Sequence, residues 1–259
     1  MDDLSSAPKR AESEVILSGK GLWKSFGGLT AVNDVDIDLH QNEVLGLIGP
    51  NGAGKTTLFN LISGGYRPDR GFIRFRGEEI AGKRPDQICR MGIGRTFQIT
   101  KPFLRMSVLE NVVTASYFGR VGKQSLRACQ DRAEEILGMV GLGTKVKARG
   151  SELTLVERKR LEFGRAMATE PTVLLLDEVI AGLNTTEAQE MVDLLRRIRA
   201  RGTAILMIEH VMRAVMEVSD RVVVLHHGQK IAEGLPRHVV SNPDVIEAYL
   251  GGMAHAQPA

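Results

Sequence analysis

The chain has 259 residues, of which 43% are hydrophobic and 25% are charged, a composition typical of a globular protein. Its formal net charge of +3 is too small to indicate a nucleic-acid-binding surface, so no nucleic-acid partner is expected. No apolar run approaches the roughly 18 residues of a membrane-spanning helix, and the polar N-terminus is unlike a secretory signal. The two cysteines, Cys89 and Cys129, lack metal-ligand spacing. We therefore expect a cytoplasmic protein, held at a membrane only by a partner.

The first third of the chain predicts strands on both sides of a glycine-rich loop. Residues 1–14 have the composition of a flexible tail. Apolar and polar residues alternate over residues 35–39 and 72–76, the period of a half-buried strand. We predict strands over residues 15–26, 35–39, 43–48 and 72–76, the last as an arm of an antiparallel hairpin, and a helix over residues 58–62.

The middle of the chain predicts helices, and strands then return. Residues 109–117, 126–140 and 154–168 are predicted helices within an inserted helical subdomain over residues 99–168. Continuous apolar runs, typical of buried parallel strands, follow at residues 173–176, 203–208 and 222–225, with a helix over residues 187–201. The order predicts an α/β fold with a mostly parallel sheet and an antiparallel flank. Its discontinuous core covers residues 15–98 and 169–235, and a C-terminal helix and tail cover residues 236–259.

The glycine-rich loop follows the predicted strand over residues 43–48. It matches the phosphate-loop pattern and reads Gly49, Pro50, Asn51, Gly52, Ala53, Gly54, Lys55, Thr56 and Thr57. Glycines let backbone N–H groups approach a polyphosphate, and the start of the next helix adds partial positive charge. Lys55 is expected to reach the terminal phosphates, and Thr56 to offer a hydroxyl to Mg²⁺. The alternative, a dinucleotide-binding loop, would need a third glycine that this stretch lacks.

Two acidic residues and a histidine follow predicted strands further along the chain. Asp177 and Glu178 follow the run at 173–176, and His210 follows the run at 203–208. Because parallel strands end at one crevice, all three are expected near the loop. We predict Asp177 as a Mg²⁺ ligand and Glu178, on the opposite side of the strand, as a general base for water. His210 is expected to hydrogen-bond the γ-phosphate. The alternatives are a surface Asp-Glu pair at residues 177 and 178 and a structural histidine at residue 210.

These residues together resemble the nucleotide-binding subunit of an ABC transporter, over about residues 15–250. Further stretches match the family's Q-loop, second nucleotide motif, D-loop and switch histidine, in that order: Arg95-Thr96-Phe97-Gln98, Leu176-Asp177-Glu178, Ala181-Gly182-Leu183-Asn184 and Glu209-His210. The resemblance implies a P-loop NTPase fold of the ABC ATPase type that binds ATP and Mg²⁺. It also implies that Gln98 contacts Mg²⁺ and the attacking water. Phe26 occupies the position of an adenine-stacking ring, with a core phenylalanine as the alternative.

The resemblance also implies partners and a process. Such a subunit hydrolyses ATP to energise integral membrane permease subunits, and sits at the inner face of the membrane. ATP binds between it and a second ATPase subunit, either a related chain or a copy of itself, and a periplasmic or extracellular solute-binding protein acts indirectly. Four stretches resemble the branched-chain or hydrophobic amino-acid uptake group: residues 26–32, 95–98, 181–184 and 243–251. Urea- or amide-type uptake and lipopolysaccharide export are the alternatives within the family.

One segment departs from the family pattern. The family signature, Leu-Ser-Gly-Gly-Gln, is replaced by Leu153-Thr154-Leu155-Val156-Glu157. Thr154 and Glu157 still predict a capping box at a helix start, but Val156 adds a side chain where backbone should approach the partner's nucleotide. Glu157 adds a like charge near an anion. We therefore expect this signature to serve the partner's nucleotide poorly, so that a heterodimer with a second, related ATPase would have two unequal sites. A non-transport ABC ATPase and a regulatory subunit with weak turnover are the other classes considered.

Overall fold

The computed structural model describes residues 14–96, 102–119 and 124–254. No helix in these ranges is long and apolar enough to cross a membrane. Ten strands occur in the described residues. In chain order they are β1 Val15–Phe26, β2 Leu29–His40, β3 Val44–Ile48, β4 Arg70–Phe75, β5 Glu78–Glu79, β6 Ile93–Arg95, β7 Val173–Asp177, β8 Ala204–Ile208, β9 Arg221–His226 and β10 Gln229–Gly234.

Nine α-helices connect and cover these strands in the same described ranges. In chain order they are α1 Lys55–Ile62, α2 Pro85–Met91, α3 Val108–Phe118, α4 Leu126–Met139, α5 Leu155–Ala168, α6 Thr185–Ala200, α7 Met212–Val218, α8 Pro236–Val239 and α9 Pro243–Ala254. The predicted helices of the middle block correspond to α3, α4 and α5. The sequence did not predict α2, α7 or the short strand β6.

The strands form two sheets. A four-stranded sheet has the order β2-β1-β4-β5, with antiparallel pairs throughout. A six-stranded sheet has the order β10-β9-β3-β8-β7-β6, in which only the β10 and β9 pair is antiparallel. This arrangement confirms the predicted mostly parallel sheet with an antiparallel flank. It also brings the carboxyl ends of β3, β8 and β7 side by side at one edge, where ligands of such sheets bind.

The parallel strands are buried on both faces. Every residue of β3, β7 and β8 is buried, which explains their uninterrupted apolar runs. Successive side chains face opposite sides of the sheet, so Leu175 packs in one hydrophobic cluster with Phe59 of α1. Leu174 and Leu176 pack in a second cluster with residues of α3, α4 and α5. The second cluster is continuous from the sheet into these helices, and the boundaries of the predicted helical subdomain stay a prediction.

Candidate active site

The phosphate loop runs from the end of β3 to the start of α1 and lies tightly against neighbouring backbone. Gly49 has φ 147° and Gly54 has φ 99°. A Cβ at Gly49 would lie 2.1 Å from the carbonyl oxygen of Leu225, and one at Gly54 would lie 2.2 Å from that of Ala31. Both positions therefore need glycine for space as well as for conformation. The sequence pattern predicts the glycines but not the two strands, β9 and β2, that they touch.

Lys55 lies across the loop in this structure. Its Nζ donates to the carbonyl oxygens of Gly49 at 2.7 Å and Pro50 at 2.9 Å. Burial lowers the pKa of Lys55, and the nearby carboxylates of Glu178 and Asp177 oppose that shift. The ammonium group therefore shares one electrostatic environment with both predicted acids. An ammonium group in this position can bind a polyphosphate as a point charge.

The start of the helix that follows the loop is open to an anion. Among the described residues, no side chain caps the start of α1, and its first turn carries no acidic residue. Thr56 is exposed there, Thr57 is half-buried, and Ala53 is buried under the loop. Unpaired N–H groups and the partial positive charge at a helix start favour an anion such as phosphate. The nucleotide loop is therefore structurally suited to the ligand that its sequence predicts.

Asp177 is the last residue of β7 and is nearly inaccessible, with a side chain 4% exposed. Its backbone N–H donates to Thr96 Oγ1 at 3.2 Å, and its Oδ2 lies 3.7 Å from Nη2 of Arg95. Burial raises the pKa of Asp177, while the Arg95 guanidinium opposes the shift. Arg95 is held in turn by Asn60 and Ser63 of the α1 segment. A buried acid at a strand end beside the loop is suited to a divalent cation.

The side chains at this site fit Mg²⁺ better than they fit a metal ion whose ligands all come from the protein. No cluster of three or more histidine, cysteine, aspartate or glutamate side chains that could hold a metal occurs within the described ranges. Mg²⁺ commonly binds through one or two protein oxygens and takes the rest of its ligands from phosphates and water. Asp177 and Thr56 are the described residues that can supply such oxygens. Gln98, the third predicted ligand, lies outside the described residues, as does Phe97.

Glu178 is placed by a turn rather than by the strand. The expectation that it continues the alternation of β7 is wrong, because β7 ends at Asp177 and Glu178 has φ 52°. Its N–H donates to the carbonyl oxygen of Ile208 at 3.0 Å. The left-handed backbone is uncommon for a residue with a Cβ and is kept by surrounding contacts. Its side chain is 27% exposed, and Oε1 lies 3.7 Å from Nδ1 of His210, whose side chain is 62% exposed.

Comparison with known proteins supplies the family. Residues 32–181, more than half of the chain, match the family model described as ABC transporter. The chain belongs to the ABC transporter family. Residues 229–255 also match a model described as branched-chain amino acid ATP-binding cassette transporter.

Individual relatives of this ABC protein align with it over nearly its whole length. The high-affinity branched-chain amino acid transport ATP-binding protein LivG of Escherichia coli K12 is 42% identical over 252 residues, 92% of this chain and 99% of that protein. BraF of Pseudomonas aeruginosa, a protein of the same description, is 39% identical with the same coverage. The crystal structure of the ADP conformation of MJ1267, an ATP-binding cassette of an ABC transporter, aligns with a TM-score of 0.85 and 32% identity, covering 92% of this chain and 100% of that one. These matches confirm the predicted family and fold, and the protein is an ABC ATPase that binds ATP.

Phe26 of this ABC protein is not a core residue. Its side chain is 42% exposed, so the alternative of a core phenylalanine is wrong. Its ring packs edge-on against Tyr66, with centroids 5.1 Å apart, and Lys24 Nζ lies 5.6 Å from its centroid. Stacking of Phe26 on adenine stays a prediction. The sequence reasoning did not identify Tyr66 as its neighbour.

A second tyrosine that the sequence reasoning missed touches the phosphate loop of the ABC protein. A hydrogen bond from the Gly49 backbone to Tyr249 of α9 opposes the rise that burial causes in the pKa of that tyrosine. Tyr249 lies within a stretch quoted for the resemblance to amino-acid uptake proteins, but its contact joins elements distant in sequence. Residues 50–53 of the phosphate loop and residues of α9 also line one cavity, so the C-terminal helix lies beside the loop.

The altered signature of this ABC protein starts α5 as the capping box predicts. Thr154 Oγ1 accepts the N–H of Glu157 at 3.3 Å, and Glu157 Oε2 accepts the N–H of Thr154 at 3.0 Å. Leu155 is 65% exposed. Glu157 also pairs with Lys145 Nζ at 2.6 Å, a contact that lowers the pKa of the carboxyl. Lys145 therefore offsets charge at Glu157, and the effect of Glu157 on the partner's nucleotide stays a prediction.

The cap at the signature helix should be measurable. Replacing Thr154 with alanine is expected to lower the free energy of unfolding by about 1 kcal/mol, since the N–H of Glu157 loses its acceptor. Thr114→Ala is the matched control, because the Thr114 hydroxyl donates to the Glu110 carbonyl within α3 and does not cap a helix. Urea denaturation of both variants would check the difference. Equal stability of the two variants would contradict a stabilising cap at Thr154.

Proposed function

We propose that the chain hydrolyses Mg²⁺-bound ATP to energise a membrane permease that takes up branched-chain or other hydrophobic amino acids. The observation that carries this proposal is the convergence of Lys55, Asp177 and Glu178 at the carboxyl edge of the parallel sheet. The choice of solute is supported by the match over residues 229–255. It is also supported by the description of both relatives as branched-chain amino acid transport proteins.

Each residue of the site has a proposed role. Backbone N–H groups of residues 49–57 and the ammonium of Lys55 would bind the phosphates. Thr56, Asp177 and Gln98 would hold Mg²⁺, which when bound neutralises charge on the phosphate oxygens. Glu178 would accept a proton from water as it attacks in line, and His210 would contact the γ-phosphate. Fixed positions and charges supply most of the catalysis in such chemistry.

The site is proposed to be shared with a second subunit. ATP would lie between the phosphate loop of one ATPase and the signature segment of another, with both subunits docked on the permease at the inner face of the membrane. A solute-binding protein would deliver the amino acid from outside. The helical subdomain over residues 99–168 and the core over residues 15–98 and 169–235 would be the two parts of each subunit.

The solute can be tested by transport. Cells lacking this chain, complemented with the wild-type sequence, are expected to take up labelled leucine, and cells complemented with an empty vector are not. Unlabelled isoleucine and valine should compete with leucine for uptake, and urea should not. Leucine uptake that is the same with and without the chain would refute the amino-acid assignment. Labelled urea and outer-membrane lipopolysaccharide, followed in the same strains, would test the two alternatives.

The altered signature is proposed to serve the partner's nucleotide poorly, which makes the two sites of a heterodimer unequal. The exposed Leu155 and the branched side chain of Val156 block close approach of the backbone to phosphate. Charge is a smaller obstacle than the sequence suggests, because Lys145 pairs with Glu157. The steric change is therefore the part of the signature to test first.

Restoring glycine at the signature should increase hydrolysis. Val156→Gly is expected to raise the ATP turnover of the assembled transporter by up to about twofold, because a backbone N–H can then approach the partner's phosphate and the second site also turns over. Val156→Ala, which keeps a Cβ, should give a smaller gain. Steady-state phosphate release from the pure chain and from the transporter would measure both. The idea of unequal sites fails if the pure chain already turns over ATP at the full transporter rate and Val156→Gly changes nothing.

A further inference from the structure

A lysine of the signature helix holds the turn that carries the proposed general base. This turn, residues 178–181, follows β7, and α5 passes beside it. Lys159 Nζ donates to the carbonyl oxygen of Glu178 at 3.2 Å and also to that of Ala181. One ammonium group therefore joins both ends of the 178–181 turn to α5.

A buried glutamate holds the same turn from the other side. Glu209, only 1% exposed, precedes the predicted switch histidine. Its Oε1 accepts the N–H of Ile180 at 2.6 Å. In the part of the chain that the structure describes, its Oε2 is buried and accepts no hydrogen bond. Burial raises the pKa of Glu209, and the positive charge of Lys159 is among the influences that oppose the rise.

The turn needs such support because its backbone is unfavourable. Glu178 has a Cβ and yet adopts φ 52°, a conformation that persists only where surrounding contacts impose it. Lys159 fixes the carbonyl of this residue, while Ile208 accepts its N–H at 3.0 Å. The direction of the Glu178 side chain depends on these backbone contacts, because its Cα lies inside the turn that they hold.

We propose that Lys159 is a positioning residue for ATP hydrolysis, which clamps the 178–181 turn so that the Glu178 carboxylate stays at the nucleotide site. This inference rests on the proposed role of Glu178 as general base. Lys159 lies in α5 only a few residues after Thr154 and Glu157, so it connects the signature of a subunit to the catalytic turn of the same subunit. In a dimer whose two sites are shared, a shift of α5 toward the partner's nucleotide would move this subunit's own base.

Kinetics can separate positioning from nucleotide binding. Lys159→Met is expected to lower kcat for ATP by about 10- to 100-fold, the cost of a misplaced catalytic group. The KM for ATP should change by less than about twofold, because Lys55 and the loop are untouched. Lys159→Arg, which can donate to both carbonyls, should restore most of kcat. Lys159→Gln, with a shorter side chain and one amide donor group, should fall between methionine and arginine.

A second readout follows the turn itself. Hydrogen exchange of the backbone amides in residues 178–183 should be faster in Lys159→Met than in the wild-type chain. The matched control is Arg199→Met on α6, because Arg199 also donates from a helix to a backbone carbonyl, that of Asn42 at 2.8 Å. Arg199→Met should leave both kcat and the exchange of residues 178–183 unchanged. Thermal unfolding of each variant would show that the purified proteins are folded.

The kinetics of the Lys159 and Glu178 variants are measured in the assembled transporter, and their outcomes separate the two proposed roles. The positioning proposal is overturned if Lys159→Met keeps the wild-type kcat, raises only KM, or is not improved by arginine at the same position. Glu178→Gln distinguishes this failure from failure of the proposed general base. If Glu178→Gln itself keeps the wild-type kcat, the role of Glu178 is wrong. If it abolishes turnover while Lys159→Met does not lower kcat, only the role of Lys159 is wrong.

Discussion

Glu178→Gln should abolish nearly all ATP hydrolysis while leaving ATP binding intact. Glutamine keeps the size of the side chain and its place in the 178–181 turn, but it cannot accept a proton from water. Loss of a general base typically lowers a rate by about 10²- to 10⁴-fold. Phosphate release under saturating ATP would measure kcat, and titration with a fluorescent ATP analogue would measure Kd, which is expected to change by less than about twofold.

The control for this substitution is a surface glutamate with no role at the site. Glu135 of α4 is exposed and pairs with Arg201 at 3.3 Å, so Glu135→Gln removes a carboxylate and a surface ion pair only. Such pairs contribute little to stability, and turnover should match that of the wild-type chain. Wild-type turnover in Glu178→Gln would instead assign the proton transfer to another group.

Lys55→Met should weaken ATP binding by about 10- to 100-fold. A hydrogen bond to a charged group contributes about 1.5–3 kcal/mol, and methionine supplies none. The substitution also removes the two contacts that Lys55 makes with the loop in this structure, to the carbonyls of Gly49 and Pro50. The rise in unfolding temperature that ATP and Mg²⁺ cause in the wild-type chain should therefore largely disappear.

Lys83→Met is the matched control for the binding experiment. Lys83 lies outside the loop and pairs with Glu78 at 3.1 Å. Its loss should leave the ATP-dependent rise in unfolding temperature unchanged. If Lys55→Met kept the full rise as well, the loop would bind nucleotide without its lysine, and the proposed role of that residue would be wrong.

Much of this site could be predicted because its residues are adjacent in sequence. The loop over residues 49–57 is one continuous pattern of glycines followed by a lysine and a threonine. Asp177 follows a continuous apolar run, which is typical of a buried parallel strand. The capping box of Thr154 and Glu157 is likewise a local motif. In each case the physical cause lies within a few residues, so the sequence alone contains it.

The parts that could not be predicted depend on distant contacts or on unusual backbone. Nothing in the sequence indicates that Glu178 leaves the strand, because positive φ is expected at glycine or asparagine rather than glutamate. Lys145 and Glu157 approach each other only after the helices pack. The clamp formed by Lys159 and Glu209 joins α5 to the end of β8, and no short pattern records that contact.

This chain is proposed to supply one competent ATP site and one weak signature, and two mixed dimers test this proposal most directly. One dimer carries Glu178→Gln in this chain, and the other carries the equivalent substitution in the partner ATPase only. We predict that ATP turnover by the assembled transporter nearly vanishes in the first dimer and is largely kept in the second. An equal loss in both dimers, or a larger loss in the second, would contradict the account.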